Sequence, residues 1–164
     1  MSHVLITTDG SDLALSAARA AFAIVPQPDK VTILAISEAT PELVADGGGI
    51  EGPTMTPAEV DNLIIEGNRH ADSALLGLSV LVPQGVSVDR VLEHGDAGAT
   101  ICNVADNIGA DVIVIGSHGK NWIKRVFLGS VSEYVVHHAK CPVLVVPAPR
   151  DHEDAHSQEA VATG

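Results

Sequence analysis

Cysteine, basic residues and long apolar runs are all scarce in this 164-residue sequence. The two cysteines, Cys102 and Cys141, lie in different apolar neighbourhoods, which argues against a disulfide framework. Nine Lys and Arg residues stand against 21 Asp and Glu residues, for a formal net charge of −12. This balance argues against nucleic acid and anionic membranes as partners, because both present negative charge. No apolar run approaches the ~20 residues that span a bilayer.

No targeting segment is visible at the amino terminus, because residues 1–5 carry no charged region followed by an apolar one. Together with the scarcity of cysteine, this leads us to expect a cytoplasmic protein. Hydrophobic residues make up 46% of the sequence, enough for one sizeable core in a chain too short for two ordinary domains. We expect one domain over residues 1–148, followed by a disordered acidic tail at residues 149–164.

Short apolar runs alternate with helical patterns along the chain. The runs predict strands, and the patterns between them predict helices. The predicted caps are Ser11 or Asp12 for the first helix, a capping box of Thr56 and Glu59 for the second, and Asp96 for the third. The predicted strands are 4–7, 31–37, 86–92, 112–115 and 143–146, and the predicted helices are 11–25, 56–81, 96–107 and 131–139. A long mobile loop of Gly, Pro, Thr and acidic residues is expected at 38–56. This alternation predicts a doubly wound α/β fold, in which a parallel sheet carries helices on both faces.

The most unusual stretch is GSHGKNWIKRVFLGS, from Gly116 to Ser130, between the fourth strand and the last helix. Its glycines at positions 116, 119 and 129 lack a Cβ, which lets backbone amides approach a phosphate closely. At the start of the helix, Ser130 adds further amides, a hydroxyl group and a favourable dipole. Three of the nine basic residues lie in this stretch, and no acidic residue does. It predicts a phosphate site, although its spacing matches neither the P-loop nor G-x-G-x-x-G.

The start of the last helix and the residue after the first strand can each be explained without a ligand. Ser130 to Glu133 has the letters of a capping box, which would satisfy the start of the last helix by itself. Asp9 precedes Gly10 and Ser11, and an aspartate at this position is typical of an Asx turn at a strand end. Asp9 and Gly116 nevertheless both follow predicted strands, and doubly wound sheets bind ligands beyond the carboxyl ends of their strands. On the sequence alone, both interpretations stay open.

Six segments spread over residues 4–147 resemble, in the same order, the universal stress protein family: VLITTDGS, VTILAIS, EHGDAGATI, DVIVIGSHG, LGSVSEYVV and CPVLVVP. The spacing of Gly116, Gly119, Gly129 and Ser130 is similar to the G-2x-G-9x-G-S signature of the family's ATP-binding branch. The resemblance implies a Rossmann-like, five-stranded parallel sheet in the order 3-2-1-4-5. It also implies that ATP binds in the crevice, with Mg²⁺.

The resemblance implies a role for each candidate residue. Asp9 is similar to the family's acidic residue near the ribose and the metal. Its implied contact with the metal is indirect, through Mg-ATP. Thr7, Thr8 and Ile36 resemble positions that flank the adenosine, and Thr7 stands where some ATP-binding relatives have proline. The implied phosphate contacts comprise Gly116, His118 and Gly119 on one side and Gly129, Ser130, Val131 and Ser132 on the other. No catalytic residue is implied, and the implied assembly is a homodimer formed through the last strand, Val143–Val146.

An ATP-binding regulatory protein of the stress response is the function expected from the sequence, with ADP and AMP as alternative nucleotides. Slow ATP hydrolysis is a second hypothesis, for which Asp9 and His118 are the only evident acid–base groups. A nucleotide-independent, dimeric interaction module is a third. Neither nucleic acid nor a membrane is expected as a partner.

Overall fold

A computed structural model of the chain describes residues 2–25, 27–37, 56–117 and 128–147. The predicted mobile loop up to residue 55 and the predicted acidic tail lie outside the described residues. So does the middle of the glycine-containing stretch, including His118 and Gly119.

Strands and helices alternate through the described part of the chain. In chain order they are β1 (His3–Thr8), α1 (Asp12–Ile24), β2 (Lys30–Ser37), α2 (Pro57–Ser79), β3 (Ser87–His94), α3 (Ala97–Ile108), β4 (Val112–Gly116), α4 (Ser130–His138) and β5 (Val143–Val146). The strands form one five-stranded sheet in the order β3-β2-β1-β4-β5, and every neighbouring pair is parallel. The predicted fold class and strand order are therefore confirmed.

Helices cover both faces of the sheet. Leu5 and Ile6 are neighbours on β1 and are both fully buried, but they pack on opposite faces because successive strand residues alternate. Ile6 joins a core built with α1 and α2, and Leu5 joins a core built with α3 and α4. We call these sides the α1/α2 face and the α3/α4 face. Within the described ranges, no helix combines the length and apolar character that crossing a membrane requires.

Side-chain caps fix the starts of the first three helices, as the sequence predicts. The Ser11 hydroxyl accepts a hydrogen bond from the first turn of α1, and the Asp96 carboxylate does the same for α3. Thr56 and Glu59 form both hydrogen bonds of a capping box at the start of α2. Gly109 ends α3 with φ +61°, the left-handed conformation that glycine adopts without strain.

Candidate functional site

The carboxyl ends of β1 and β4 lie side by side at the centre of the sheet. The two strands pair in register from Val4 opposite Val112 to Ile6 opposite Val114, and β2 flanks β1 on its other side. Strand order reverses here, and ligands of doubly wound sheets bind in the crevice at such a point. We call this opening the β1/β4 crevice.

The last two residues of β1 use their hydroxyl groups to hold the backbone at the edge of the crevice. The Thr7 hydroxyl donates a hydrogen bond to the carbonyl oxygen of Val114, at 3.4 Å. The Thr8 hydroxyl accepts one from the Gly10 amide, at 3.1 Å. Both threonines are buried. Their side chains therefore join β1 to β4 and to the turn that follows β1.

Asp9, directly after β1, uses only one of its two carboxylate oxygens within the described part of the protein. Oδ1 accepts a hydrogen bond from the Ser11 amide at 2.9 Å, so the Asx turn considered from the sequence is present. Oδ2 is buried and has no hydrogen-bond partner among the described residues. A buried polar atom left without a partner is costly. The two interpretations of Asp9 are therefore compatible: one oxygen holds the turn, and the other suits a ligand.

No side chain in the described part of the chain caps the start of α4. Its N-cap residue is Gly129, which has no side chain to accept a hydrogen bond, and the helix begins at Ser130. The capping-box interpretation of Ser130 to Glu133 is therefore wrong: Ser130 is already helical, and Glu133 lies one position too late to form the box. Among the described residues, no side chain accepts a hydrogen bond from the amides of the first turn, and such amides suit an anion.

Three residues, Ser117, Gly129 and Ser132, hold the start of α4 against the end of β4, and we call them the β4–α4 junction. The carbonyl oxygen of Ser117 accepts hydrogen bonds from the Gly129 amide, at 2.7 Å, and from the Ser132 hydroxyl, at 3.0 Å. That hydroxyl also lies 2.9 Å from the carbonyl oxygen of Gly129. Ser117 and Ser132 are 3% and 2% exposed. The junction fixes the first turn of α4 beside the β1/β4 crevice. The Ser132 hydroxyl is already used in the hydrogen bonds of this junction.

Comparison with known proteins identifies the family to which this architecture belongs. The family model described as "Universal stress protein family" matches residues 1–147. The chain belongs to the universal stress protein family. It is 34% identical over 149 residues to a universal stress protein of Methanocaldococcus jannaschii, covering 90% of this chain and 82% of the relative.

Solved structures of universal stress proteins share the fold. The UspA protein of Lactobacillus plantarum superimposes with a TM-score of 0.67 at 25% identity, covering 88% of this chain and 97% of that one. A universal stress protein in complex with cAMP superimposes with a TM-score of 0.50, also at 25% identity, covering 88% of this chain and 95% of that one. The ligand of the second structure shows that a protein of this family binds a nucleotide.

In this universal stress protein, the predicted site residues that the structure describes lie at the ends of three central strands and at the start of one helix. Ile36 is half-buried near the carboxyl end of β2, on the α3/α4 face. Gly116 ends β4. The other described members are Thr7, Thr8, Asp9, Gly129, Ser130, Val131 and Ser132, whereas His118 and Gly119 lie outside the described residues. The contacts of all these residues with a nucleotide stay predictions.

The cysteines and the possible metal ligands of the universal stress protein give no sign of a reactive site in the part of the chain that the structure describes. Cys102 and Cys141 are free and half-buried, and burial is the main cause that raises the pKa of each thiol. A raised pKa reduces the thiolate fraction, which is the reactive form. Among the described residues, no group of three or more His, Cys, Asp or Glu could hold a metal ion.

Sequence reasoning missed one residue next to the site, His70 on α2. Its Nε2 atom lies 3.3 Å from the carbonyl oxygen of Asp9. The two residues are 61 positions apart, and His70 stands at an exposed position of a long amphipathic helix. No signal in the sequence distinguishes it from the other polar residues of that helix.

Proposed function

We propose that this universal stress protein binds ATP, together with Mg²⁺, in the β1/β4 crevice. In this proposal it is a cytoplasmic regulatory protein of the stress response that acts through nucleotide binding rather than catalysis. The observation that carries the proposal is the uncapped start of α4, held beside the crevice by the β4–α4 junction. Two further features support it: the Asp9 oxygen that has no partner among the described residues, and the basic residues of the glycine-containing stretch.

The start of α4 provides the chemistry that a polyphosphate requires. A helix start carries a partial positive charge and several amides without intrahelical acceptors. Gly129 has no side chain to cap these amides, so phosphate oxygens would accept their hydrogen bonds. The sequence adds Lys120, Lys124 and Arg125 in the stretch between β4 and α4, in a protein whose net charge is −12. Basic residues near the site would raise the local concentration of an anionic ligand.

Asp9 supplies an oxygen that fits both a ribose hydroxyl group and the Mg²⁺ complex of ATP. Mg²⁺ prefers oxygen ligands and usually keeps several water molecules while bridging a carboxylate and phosphates. The Oδ2 atom of Asp9 is buried and lacks a partner among the described residues. Asp9 would hold the hydrated ion, and the ion would neutralise phosphate charge; Ile36 and the threonines at the end of β1 would flank the base.

We further propose that the protein is a homodimer formed through β5. This strand is last in the sheet order, and all four of its residues, Val143–Val146, are apolar and only partly buried in the single chain. An apolar strand at a sheet edge is prone to pair with another chain, and pairing with its own copy would cover it.

Calorimetric titration tests the nucleotide proposal. We expect nucleotide-free protein to bind one ATP per chain in the presence of Mg²⁺, and Asp9→Asn to weaken binding by about 10-fold to 100-fold, the worth of a charge-assisted hydrogen bond. Asparagine retains an oxygen for the Asx turn but removes the charge. Asp12→Asn is the matched control, because it removes the same charge from an exposed position in the first turn of α1.

Two results would contradict the proposal: absence of binding by the wild-type protein, or equal affinity in the wild type and Asp9→Asn. The same samples, incubated with ATP and Mg²⁺, test the enzymatic alternative. Rapid formation of ADP that Asp9→Asn abolishes would favour a hydrolase over a binding protein.

A further inference from the structure

Helix α2 contacts the turn that carries Asp9, from the α1/α2 side of the sheet. The Nε2 atom of His70 lies 3.3 Å from the carbonyl oxygen of Asp9. One turn further along the helix, Ala74 packs against Gly10: a Cβ added to Gly10 would lie 3.2 Å from the Cβ of Ala74 and 3.4 Å from Nε2 of His70. The helix and the turn are therefore in direct contact.

The conformation of this turn decides where the Asp9 carboxylate lies. Gly10 has φ +78°, a left-handed conformation that costs glycine little but strains other residues. The hydrogen bonds from the Gly10 amide to Thr8 and from the Ser11 amide to Asp9 hold the turn on the side of β1. The contact with His70 holds the peptide group between Asp9 and Gly10 from the opposite side.

We propose that His70 is a positioning residue that fixes the Asp9 carboxylate for its ligand. This role rests on the proposed nucleotide site. Because a carbonyl oxygen only accepts hydrogen bonds, Nε2 must carry the proton and donate it. That bond holds the peptide group between Asp9 and Gly10, and the hydrogen bond from the Ser11 amide to Oδ1 of Asp9 links the same turn to the carboxylate. His70 itself would not contact the nucleotide.

The proposal is specific to one atom of the imidazole ring, and this makes a conservative rescue possible. The side-chain amide nitrogen of glutamine lies at about the same distance along the side chain as Nε2, whereas that of asparagine corresponds to Nδ1. We therefore expect His70→Gln to preserve the bond to Asp9 and His70→Asn to lose it. His94→Ala is the matched control, because His94 contacts Asn68 on the same helix, at 2.9 Å, and is not bonded to the Asp9 turn.

Calorimetric titration with ATP and Mg²⁺ tests the role of His70. We expect His70→Ala and His70→Asn to weaken binding by about threefold to tenfold, the effect of one lost hydrogen bond, and His70→Gln and His94→Ala to bind like the wild type. In an Asp9→Asn background, His70→Ala should cause a smaller loss, because the carboxylate that His70 positions is absent. In ligand-free protein, His70→Ala should also accelerate hydrogen exchange of the Gly10 and Ser11 amides.

The possible results separate this proposal from the proposed function. If the wild type binds ATP but His70→Ala binds equally well, the positioning role is wrong and the nucleotide site stands. If His70→Gln is as weak as His70→Ala, the residue has only a packing role, which also contradicts the proposal. If the wild type binds no nucleotide, the proposed function fails, whereas the exchange measurement still decides whether His70 holds the turn.

Discussion

Replacing Gly129 by aspartate is expected to weaken ATP binding by about a hundredfold without destabilising the protein. Gly129 is the N-cap residue of α4 and has φ −76° and ψ 159°, a conformation open to any residue. An aspartate there would accept hydrogen bonds from the amides that the phosphates are proposed to use. It would also place a negative charge where the phosphate charge must lie.

The substitution should weaken ATP binding without lowering the stability of the protein. A side-chain cap stabilises a helix start relative to glycine by roughly a few tenths of a kcal/mol, so the free energy of unfolding should stay constant or rise slightly. Calorimetry with ATP and urea unfolding of the same variant measure the two quantities. Gly129→Asn is the control for charge: it caps the same amides without repelling phosphate and should lose less affinity. Unchanged affinity in Gly129→Asp would show that the start of α4 does not bind the phosphates.

Replacing Gly98 by alanine is expected to destabilise the fold by about 2 kcal/mol, because it overpacks a tight contact between α3 and α4. A Cβ at position 98 would lie 2.7 Å from Cδ1, 2.8 Å from Cγ and 3.0 Å from Cβ of Tyr134. A change of side-chain rotamer would move Cγ and Cδ1 away but not the Cβ of Tyr134, which is tied to the backbone of α4, so it would relieve the clash only in part. The two helices would have to move apart.

Gly77→Ala is the matched control for Gly98→Ala. Gly77 lies inside α2, and a Cβ added there would meet none of the described residues beyond its own stretch of helix within 4 Å. Alanine should therefore stabilise the protein by about 0.5–1 kcal/mol through its higher helix propensity. Urea unfolding measures both variants. Adding Tyr134→Ala to Gly98→Ala should recover much of the loss, because it removes two of the three atoms in conflict. A Gly98→Ala variant as stable as the wild type would contradict the steric account.

The fold was predictable because local signals and apolar patterns agree along most of the chain. The residues that cap α1, α2 and α3 are those predicted, and the apolar runs form the strands. The strand order 3-2-1-4-5 required more than periodicity, because nothing in a single apolar run says which strand pairs with it. The resemblance to the universal stress protein family supplied that order.

The start of α4 shows where local reasoning fails. The letters from Ser130 to Glu133 fit a capping box, but the helix starts one residue earlier than the box requires. The residue at which α4 begins is fixed by hydrogen bonds from Gly129 and Ser132 to the carbonyl oxygen of Ser117. Ser117 lies too far back in the sequence for a local motif to include it. The letters of a capping motif therefore do not identify the N-cap residue when a hydrogen bond to a distant backbone group determines where the helix begins.

Asp9 and His70 show a second limit of the sequence. The sequence predicted an Asx turn or a ligand contact for Asp9, and only burial reveals that one oxygen serves the turn while the other lacks a partner in the described structure. His70 reaches Asp9 because α2 packs across the sheet, a consequence of tertiary structure. A residue that positions a ligand-binding side chain is thus harder to predict from the sequence than the residue that is expected to contact the ligand.

Backbone amide chemical shifts, followed by NMR as Mg²⁺ and ATP are added, test whether a nucleotide binds in the β1/β4 crevice. We expect the largest changes at the start of α4, from Gly129 to Ser132, and in the turn from Asp9 to Ser11 after β1. Saturation at one ATP per chain should accompany them. The absence of shifts, or their concentration away from the β1/β4 crevice, would contradict a nucleotide site at this point of the fold.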